Sequence, residues 1–210
     1  MDNTLLHSSI DFGAMKRDIY AFLCDHSILP PGLSMDTHTT STIIAEAMNT
    51  GQLSEELSCM MWDIAKEHEI QGMMGAKLED GAMELVQQLH GQLHLAIVTN
   101  NAIEAAMTAL EENRIAHYFD LIIGREAMGL LKPASDGYMA VLQHFSHTSP
   151  KEWLSVGDAW VDGKASESAG IPFIAYRGDI ARMNRMGVFP FAEIQDIQEV
   201  VGYLQPRITK

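Results

Sequence analysis

The stretch Leu154-Ser155-Val156-Gly157-Asp158-Ala159-Trp160-Val161-Asp162 decides the fold. An apolar run typical of a buried strand passes directly into Gly157 and Asp158, and a second carboxylate, Asp162, follows. Like charges at the carboxyl end of a strand repel each other, so a hard cation such as Mg²⁺ would explain why both carboxylates stand there. An Asp helix cap beside a surface Asp is the alternative interpretation.

Around this stretch, β-rich apolar runs alternate with segments whose apolar residues recur at helical spacing. The predicted strands are Leu93–Val98, Asp120–Ile123, Trp153–Val156 and Pro172–Tyr176. Repeated β-then-α units imply right-handed crossovers, so we predict an α/β fold with a doubly wound parallel sheet. Ligands of such sheets bind beyond the carboxyl ends of the strands.

Residues 12–78 have a different pattern, with helical stripes and no convincing strand. One stripe comprises Met15, Ile19, Phe22 and Leu23, and a second comprises Leu57, Met60, Met61 and Ile64. Pro30-Pro31-Gly32 and Asn49-Thr50-Gly51 mark turns between the helices. We therefore predict an α/β core formed by residues 1–11 and 79–210, with residues 12–78 inserted as a helical cap.

Composition excludes several classes of partner. Asp and Glu number 28 against 14 Lys and Arg, and the net charge of −14 repels nucleic acid and anionic lipid. The two cysteines show no metal-site spacing, and no apolar run reaches the length of a membrane span. We expect a cytoplasmic protein with a small-molecule substrate and no nucleic-acid or membrane partner; the sequence leaves the oligomeric state open.

Two further polar segments follow or precede predicted elements of the core. Thr99, with the N–H groups of Asn100 and Asn101, ends a strand and could form a small anion site, although Thr and Asn are also ordinary helix caps. Lys132, before Pro133, could neutralise a phosphate and a neighbouring carboxylate together. A solvated loop lysine is the alternative.

The chain opens on Asp2-Asn3-Thr4-Leu5-Leu6. This segment, the strand-ending Thr99, Lys132-Pro133 and Gly157-Asp158, in this order and with a helical insertion after the first, resemble the haloacid dehalogenase-like phosphohydrolases. The similarity spans essentially the whole chain, and it is closest to the branch typified by phosphoglycolate phosphatase.

The resemblance implies a role for each of these residues. Asp2 matches the general acid/base aspartate and Thr4 matches the threonine of the same motif. Thr99, Asn100 and Lys132 match the phosphate-binding positions, and Lys132 would also steady the charge that develops during catalysis.

For the metal, the resemblance implies that Asp158 ligates Mg²⁺ and that Asp162 supports it, directly or through water. The main-chain carbonyl of Asp2 would be a further ligand, and Gly157 supports the motif. The implied activity is Mg²⁺-dependent hydrolysis of a small phosphorylated metabolite through an aspartyl-phosphate. A phosphomutase of the same branch and a non-catalytic protein that binds phosphate or metal are the alternatives.

The nucleophilic aspartate of the family falls immediately before Met1, and the family's first, central strand lies upstream of it. We expect the natural sequence to continue upstream through that strand. Without the strand, the sheet should have two open apolar edges and a gap in its core.

Overall fold

The computed structural model describes residues 1–208 and divides the chain into two compact units. One comprises Met1–Ser8 with the chain from Gly75 onward, and the other is Ser9–Met74. The boundaries predicted from the sequence lay a few residues further along, because the pairing of two very short strands was not anticipated. β1 (Leu6–His7) pairs antiparallel with β2 (Lys77–Leu78), and Leu6 stands opposite Leu78. The prediction that residues 12–78 hold no strand is therefore wrong at Lys77–Leu78, where the strand is too short to produce a periodic pattern.

The second unit is helical, as predicted. It contains α1 (Phe12–Asp25), α2 (Thr40–Asn49) and α3 (Glu55–Met73). α1 buries Met15, Ile19 and Leu23 of its predicted stripe. In α3 the buried residues begin at Met61 and continue through Ala65, whereas Met60 of the predicted stripe is 45% exposed. The apolar face of α3 is thus rotated from the predicted one, because methionine is tolerated on either face.

The first unit alternates strands and helices. Its further elements are α4 (Ala82–Leu89), β3 (Ala96–Val98), α5 (Ile103–Glu112), β4 (Leu121–Ile123), α6 (Asp136–His144), β5 (Ser155–Gly157), α7 (Trp160–Ser168), β6 (Phe173–Tyr176), α8 (Ile180–Arg185), β7 (Ala192–Ile194) and α9 (Val200–Ile208). Each of the predicted strands is present over fewer residues, β5 ends one residue beyond its predicted bound, at Gly157, and β7 was not predicted. No helix among residues 1–208 is both long and apolar enough to cross a membrane.

The parallel strands of this unit form two separate sheets. β3 pairs with β4, and β5, β6 and β7 pair in that order. No strand among the described residues joins β3 to β5, and a cavity of about 550 Å³ lies beside both strands. The gap expected from the sequence is therefore present.

Two hydrogen bonds to Glu79 connect β1 and β2 to the sheet formed by β5, β6 and β7. Glu79, directly after β2, accepts hydrogen bonds from the Tyr176 hydroxyl at 3.1 Å and from Arg177 Nη1 at 2.9 Å. Burial and the Glu79 carboxylate raise the pKa of Tyr176 to about 12. The paired strands are thereby held at the carboxyl end of β6.

Candidate active site

The opening turn of the chain lies against the end of β5. The Met1 carbonyl accepts the N–H groups of Leu5 at 2.8 Å and Leu6 at 3.2 Å, which closes the turn. The buried Thr4 side chain donates its hydroxyl proton to Asp158 Oδ1 at 3.0 Å. Two of the segments singled out in the sequence therefore meet, although they lie far apart along the chain.

Lys132 is buried rather than solvated, being only 6% exposed. Its Nζ donates to Asp162 Oδ1 at 2.7 Å and to the Val98 carbonyl at 2.8 Å. Burial alone would lower the pKa of Lys132, but the charge and hydrogen bond of Asp162, together with the charges of Tyr138 and Asp158, outweigh burial, and the pKa lies above its ordinary value. The structure therefore holds a buried positive charge between the end of β3 and the first turn of α7.

Both carboxylate oxygens of Asp162 have partners in the protein. Oδ1 accepts from Lys132, and Oδ2 accepts the Ala159 N–H at 3.1 Å, at the beginning of α7. Burial acts to raise the pKa of Asp162, but the charge and hydrogen bond of Lys132, the amino terminus and the Ala159 N–H together lower it. Both oxygens of Asp162 are therefore engaged within the protein, which fits a supporting position beside a metal.

Gly157 allows Asp162 to approach the strand. A Cβ atom at position 157 would lie 2.8 Å from the side chain of Asp162, which is too close for any residue other than glycine. The predicted supporting role of Gly157 has this close approach as its physical basis.

Asp158 is the carboxylate that a cation would stabilise. Burial raises its pKa, and the neighbouring negative charge of Asp162 raises it further. The charged amino terminus of Met1 acts in the opposite direction and lowers the pKa of both carboxyl groups. The Thr4 hydroxyl is the side-chain donor to Asp158, whereas Asp162 accepts from the buried Lys132 ammonium.

Asp2 lies at the end of β3 through a contact that was not predicted. Its Oδ2 accepts a hydrogen bond of 2.6 Å from Nδ2 of Asn101, a buried residue. Its Oδ1 is buried and has no hydrogen-bond partner among the described residues. Asn101 belongs to the same strand-ending segment as Thr99. Its place in that segment was the signal in the sequence that pointed to Asn101.

The two remaining polar residues of this segment are engaged locally. Thr99 Oγ1 accepts the Asn101 N–H at 3.2 Å, as a cap does, and its hydroxyl proton is still available for an anion. Asn100 forms a reciprocal pair with the main chain of Lys132: Nδ2 donates to the Lys132 carbonyl at 3.0 Å, and the Lys132 N–H donates to Oδ1 at 2.9 Å. The side chain of Asn100 thus positions Lys132, and only its main-chain N–H remains for the predicted phosphate contact.

The donors fit magnesium by their chemistry. Asp158 and Asp2 supply oxygen, which is the ligand that Mg²⁺ prefers, and the buried Asp2 Oδ1 lacks a partner. No three His, Cys, Asp or Glu side chains among residues 1–208 cluster as a metal site. Because Mg²⁺ keeps several waters and usually takes only one or two carboxylates plus substrate phosphate, such a cluster is not required.

Comparison with known proteins identifies similar chains. HAD-hydrolase YfnB of Bacillus subtilis is 28% identical over 131 residues, which are 62% of this chain and 55% of YfnB. Phosphoglycolate phosphatase of Rhodobacter capsulatus is 26% identical over 103 residues, 49% of this chain and 46% of that protein. The matched stretches thus span about half the length of these relatives.

Solved structures share the fold over nearly the whole chain. A hydrolase from Pseudomonas syringae superposes with a TM-score of 0.71 at 18% identity, covering 99% of this chain and 96% of that one. YfnB, crystallised with magnesium, superposes with a TM-score of 0.60 at 20% identity, covering 98% and 96%. Residues 33–176 match the family model described as haloacid dehalogenase-like hydrolase. The chain therefore belongs to the haloacid dehalogenase-like hydrolase family.

Proposed function

We propose that this protein is a magnesium-dependent phosphatase of small phosphorylated metabolites. The observation that carries the proposal is the buried ammonium of Lys132, held at 2.7 Å from Asp162 and at 2.8 Å from the last carbonyl of β3. A buried cation at the carboxyl ends of parallel strands is suited to binding an anion there. Relatives named phosphoglycolate phosphatase support this class of substrate.

The charges of the site residues and of the phosphate suggest a separate role for each residue. A carboxylate can approach a phosphate dianion only if cations cancel the repulsion, and Lys132 supplies one of them. Asp158 and the main-chain carbonyl of Asp2 would hold Mg²⁺, which when bound neutralises further phosphate charge. Thr99 and the N–H of Asn100 would donate hydrogen bonds to phosphate oxygens.

Asp2 would act first as the general acid and then as the general base. Its carboxyl group would protonate the leaving oxygen of the substrate and then accept a proton from the attacking water. The attacking carboxylate, which gives the aspartyl-phosphate, belongs to the residue that the family resemblance puts immediately before Met1. Asn101 would hold one oxygen of Asp2 in place and leave the other oriented toward the reactants.

A second candidate is a protein that binds phosphate and metal without turnover. Lys132, Asp158 and Thr99 need no attacking carboxylate in order to hold both ligands, so the same residues are compatible with binding alone. A phosphomutase uses the same residues and differs from a phosphatase in how well it excludes water from the site.

Both candidate functions require a site that binds phosphate together with Mg²⁺. Calorimetry of inorganic phosphate binding, with and without Mg²⁺, tests this site. We expect Mg²⁺ to strengthen phosphate binding at least about tenfold, and Asp158→Asn to abolish that gain. Asp63→Asn, an exposed substitution on α3, is the matched control and should bind like the parent protein. Phosphate binding that ignores both Mg²⁺ and Asp158 would refute the metal assignment.

Turnover separates the enzyme from the binding protein. Phosphate release from p-nitrophenyl phosphate is measured for the chain as it stands and for a chain with an apolar strand segment and an aspartate joined to Met1. Release only by the second form, and only with Mg²⁺, supports the phosphatase. Magnesium-dependent phosphate binding without release in either form supports the binding protein.

A further inference from the structure

Residues 33–39, called the α1–α2 loop below, connect the first two helices of the helical unit. The Lys16 ammonium of α1 donates to the main-chain carbonyls of Met35 and His38 within this loop. The side chain of His38 is only 20% exposed, so its ring nitrogens need partners within the protein. The partners of this ring decide which protonation state the loop conformation fits.

The His38 ring faces a hydrogen-bond acceptor at each of its nitrogens. Nε2 lies 2.9 Å from Glu46 Oε1 of α2, and Nδ1 lies 2.8 Å from the Ser34 carbonyl oxygen. An ionised carboxylate and a carbonyl can only accept, and a neutral imidazole carries a proton on just one nitrogen. Both contacts are therefore hydrogen bonds only when the ring carries two protons and a positive charge.

The charged groups around the ring come from both helices and from the loop. Glu46 of α2 is the anion in contact with the ring, and Lys16 of α1 is a cation that binds the main chain of the same loop. Asp36, which belongs to the loop, is exposed. Because a neutral ring can also donate from Nε2, the contact with Glu46 survives the loss of one ring proton, and the proton at Nδ1 is the one that can leave.

Thr37 provides a second partner for Nδ1. Its hydroxyl donates to the Ser34 carbonyl at 3.1 Å, and the same hydroxyl oxygen lies 2.9 Å from His38 Nδ1. When Nδ1 loses its proton, this nitrogen becomes an acceptor. The Thr37 hydroxyl can then turn toward Nδ1, and the Ser34 carbonyl loses the donors of both His38 and Thr37.

We propose that His38 is a pH-dependent switch in the α1–α2 loop. The loop is closed while the ring carries two protons, and it is released at Ser34 when Nδ1 loses its proton. Histidine side chains change their charge between about pH 5 and 8. The switch involves neither phosphate nor metal, so it goes beyond the proposed function and does not depend on it.

Hydrogen exchange at the two ends of the loop measures its opening. The amide of Leu33 donates to the Tyr20 hydroxyl and that of Thr39 donates to Thr42 Oγ1, each at 2.9 Å. Each rate is divided by that of an unstructured peptide at the same pH, because exchange itself depends on pH. We expect the normalised rate at Leu33, beside Ser34, to be at least about tenfold higher at about pH 8 than at about pH 5.5. The rate at Thr39 should stay unchanged, because Glu46 and Lys16 still hold that end.

The Glu46→Gln variant gives a result that a packing role for the ring would not produce. The Gln amide can donate to Nε2, so a neutral ring with its proton on Nδ1 satisfies both contacts. We expect this variant to keep slow exchange at Leu33 at both pH values. Nitrogen NMR of the His38 ring should place the proton on Nδ1 in this variant at about pH 8, and on Nε2 in the parent protein.

Two histidine variants complete the test. His38→Gln cannot donate on both sides and should exchange rapidly at Leu33 at both pH values. His68→Gln is the matched control, because His68 Nε2 lies 2.8 Å from Asp18 Oδ2, a contact that a neutral ring can also make, and the pH dependence at Leu33 should persist. Equal normalised rates at the two pH values in the parent protein, or rapid exchange of Glu46→Gln at about pH 8, would overturn the proposal. None of these measurements requires turnover, so their failure is distinct from failure of the proposed function.

Discussion

Removal of the Lys132 ammonium should destabilise the first unit strongly. Lys132→Met keeps most of the side-chain stem and removes the charge that lies 2.7 Å from Asp162. The two residues are only 6% and 8% exposed, so the Asp162 carboxylate would stay buried with the Ala159 N–H as its remaining partner. Loss of one member of a buried ion pair costs about 3–5 kcal/mol, and we expect a loss of this size in the free energy of unfolding.

Urea unfolding followed by tryptophan fluorescence measures this loss, and a double-mutant cycle with Asp162→Asn isolates the pair. The double variant removes both charges, so we expect a coupling energy of about 2 kcal/mol or more. Lys164→Met is the matched control, because Lys164 pairs with Glu167 at 3.0 Å on the surface and such pairs contribute only about 0–1 kcal/mol. A Lys132→Met loss no larger than that of the control would refute the reasoning.

The pH dependence of the same loss has a definite sign. The pKa of Asp162 is lowered in the folded protein, so its contribution is present above its ordinary pKa and disappears as pH falls through the folded value. The pKa of Lys132 is raised, so its contribution is present below its ordinary pKa and disappears as pH rises through the folded value. The difference between the parent protein and Lys132→Met should therefore be constant near neutral pH and shrink in acid and in strong alkali.

Three further predictions follow from separate contacts. Gly157→Ala should lower the free energy of unfolding by about 1–3 kcal/mol in the same urea assay, because its Cβ would lie 2.8 Å from Asp162. Gly202→Ala on α9 is the control, and it should leave this free energy unchanged or raise it, because the space around Gly202 is open. Tyr176 should resist ionisation until about pH 12, so absorbance titration of the parent protein should show one tyrosine transition near pH 12 that Tyr176→Phe lacks, whereas the transitions near pH 10 should be the same in both. Because this pKa is raised, the contribution of Tyr176 to stability is complete below pH 10 and is lost toward pH 12. Removal of Mg²⁺ with EDTA should weaken binding of inorganic phosphate at least about tenfold, and unchanged calorimetric affinity would contradict the metal assignment.

The sequence allowed prediction of those parts of the fold that depend on local pattern. The apolar runs Leu93–Val98 and Pro172–Tyr176 are long enough to be recognised as strands, because segments with helical spacing separate them from the neighbouring runs. Strands β3 and β6 form within these two runs. β1 and β2 could not be found this way, because each is only two residues long and they pair across the whole inserted unit. Short pairings of distant segments leave no period in the sequence.

The site shows the same division. The order of the polar segments predicted that Thr4, Lys132 and Asp158 belong together, and two of their contacts are the hydrogen bonds from Thr4 to Asp158 and from Lys132 to Asp162. The hydrogen bond from Asn101 to Asp2 depends on the rotation of one amide side chain at the end of β3, which no spacing rule specifies. Sequence reasoning therefore located the segments but not the individual atoms that each side chain contacts.

Because Leu6 pairs with Leu78, the helical unit can be replaced by another insert without a change in the α/β unit. Because the chain leaves and re-enters the α/β unit at two paired strands held by Glu79, an insert of any length closes a loop whose ends are already adjacent. Lengthening or replacing Ser9–Met74 would thus cost little loop-closure entropy and would leave the register of β1 and β2 unchanged. Evolution could therefore vary this insert in size and sequence while the residues around Lys132 and Asp158 stayed in place.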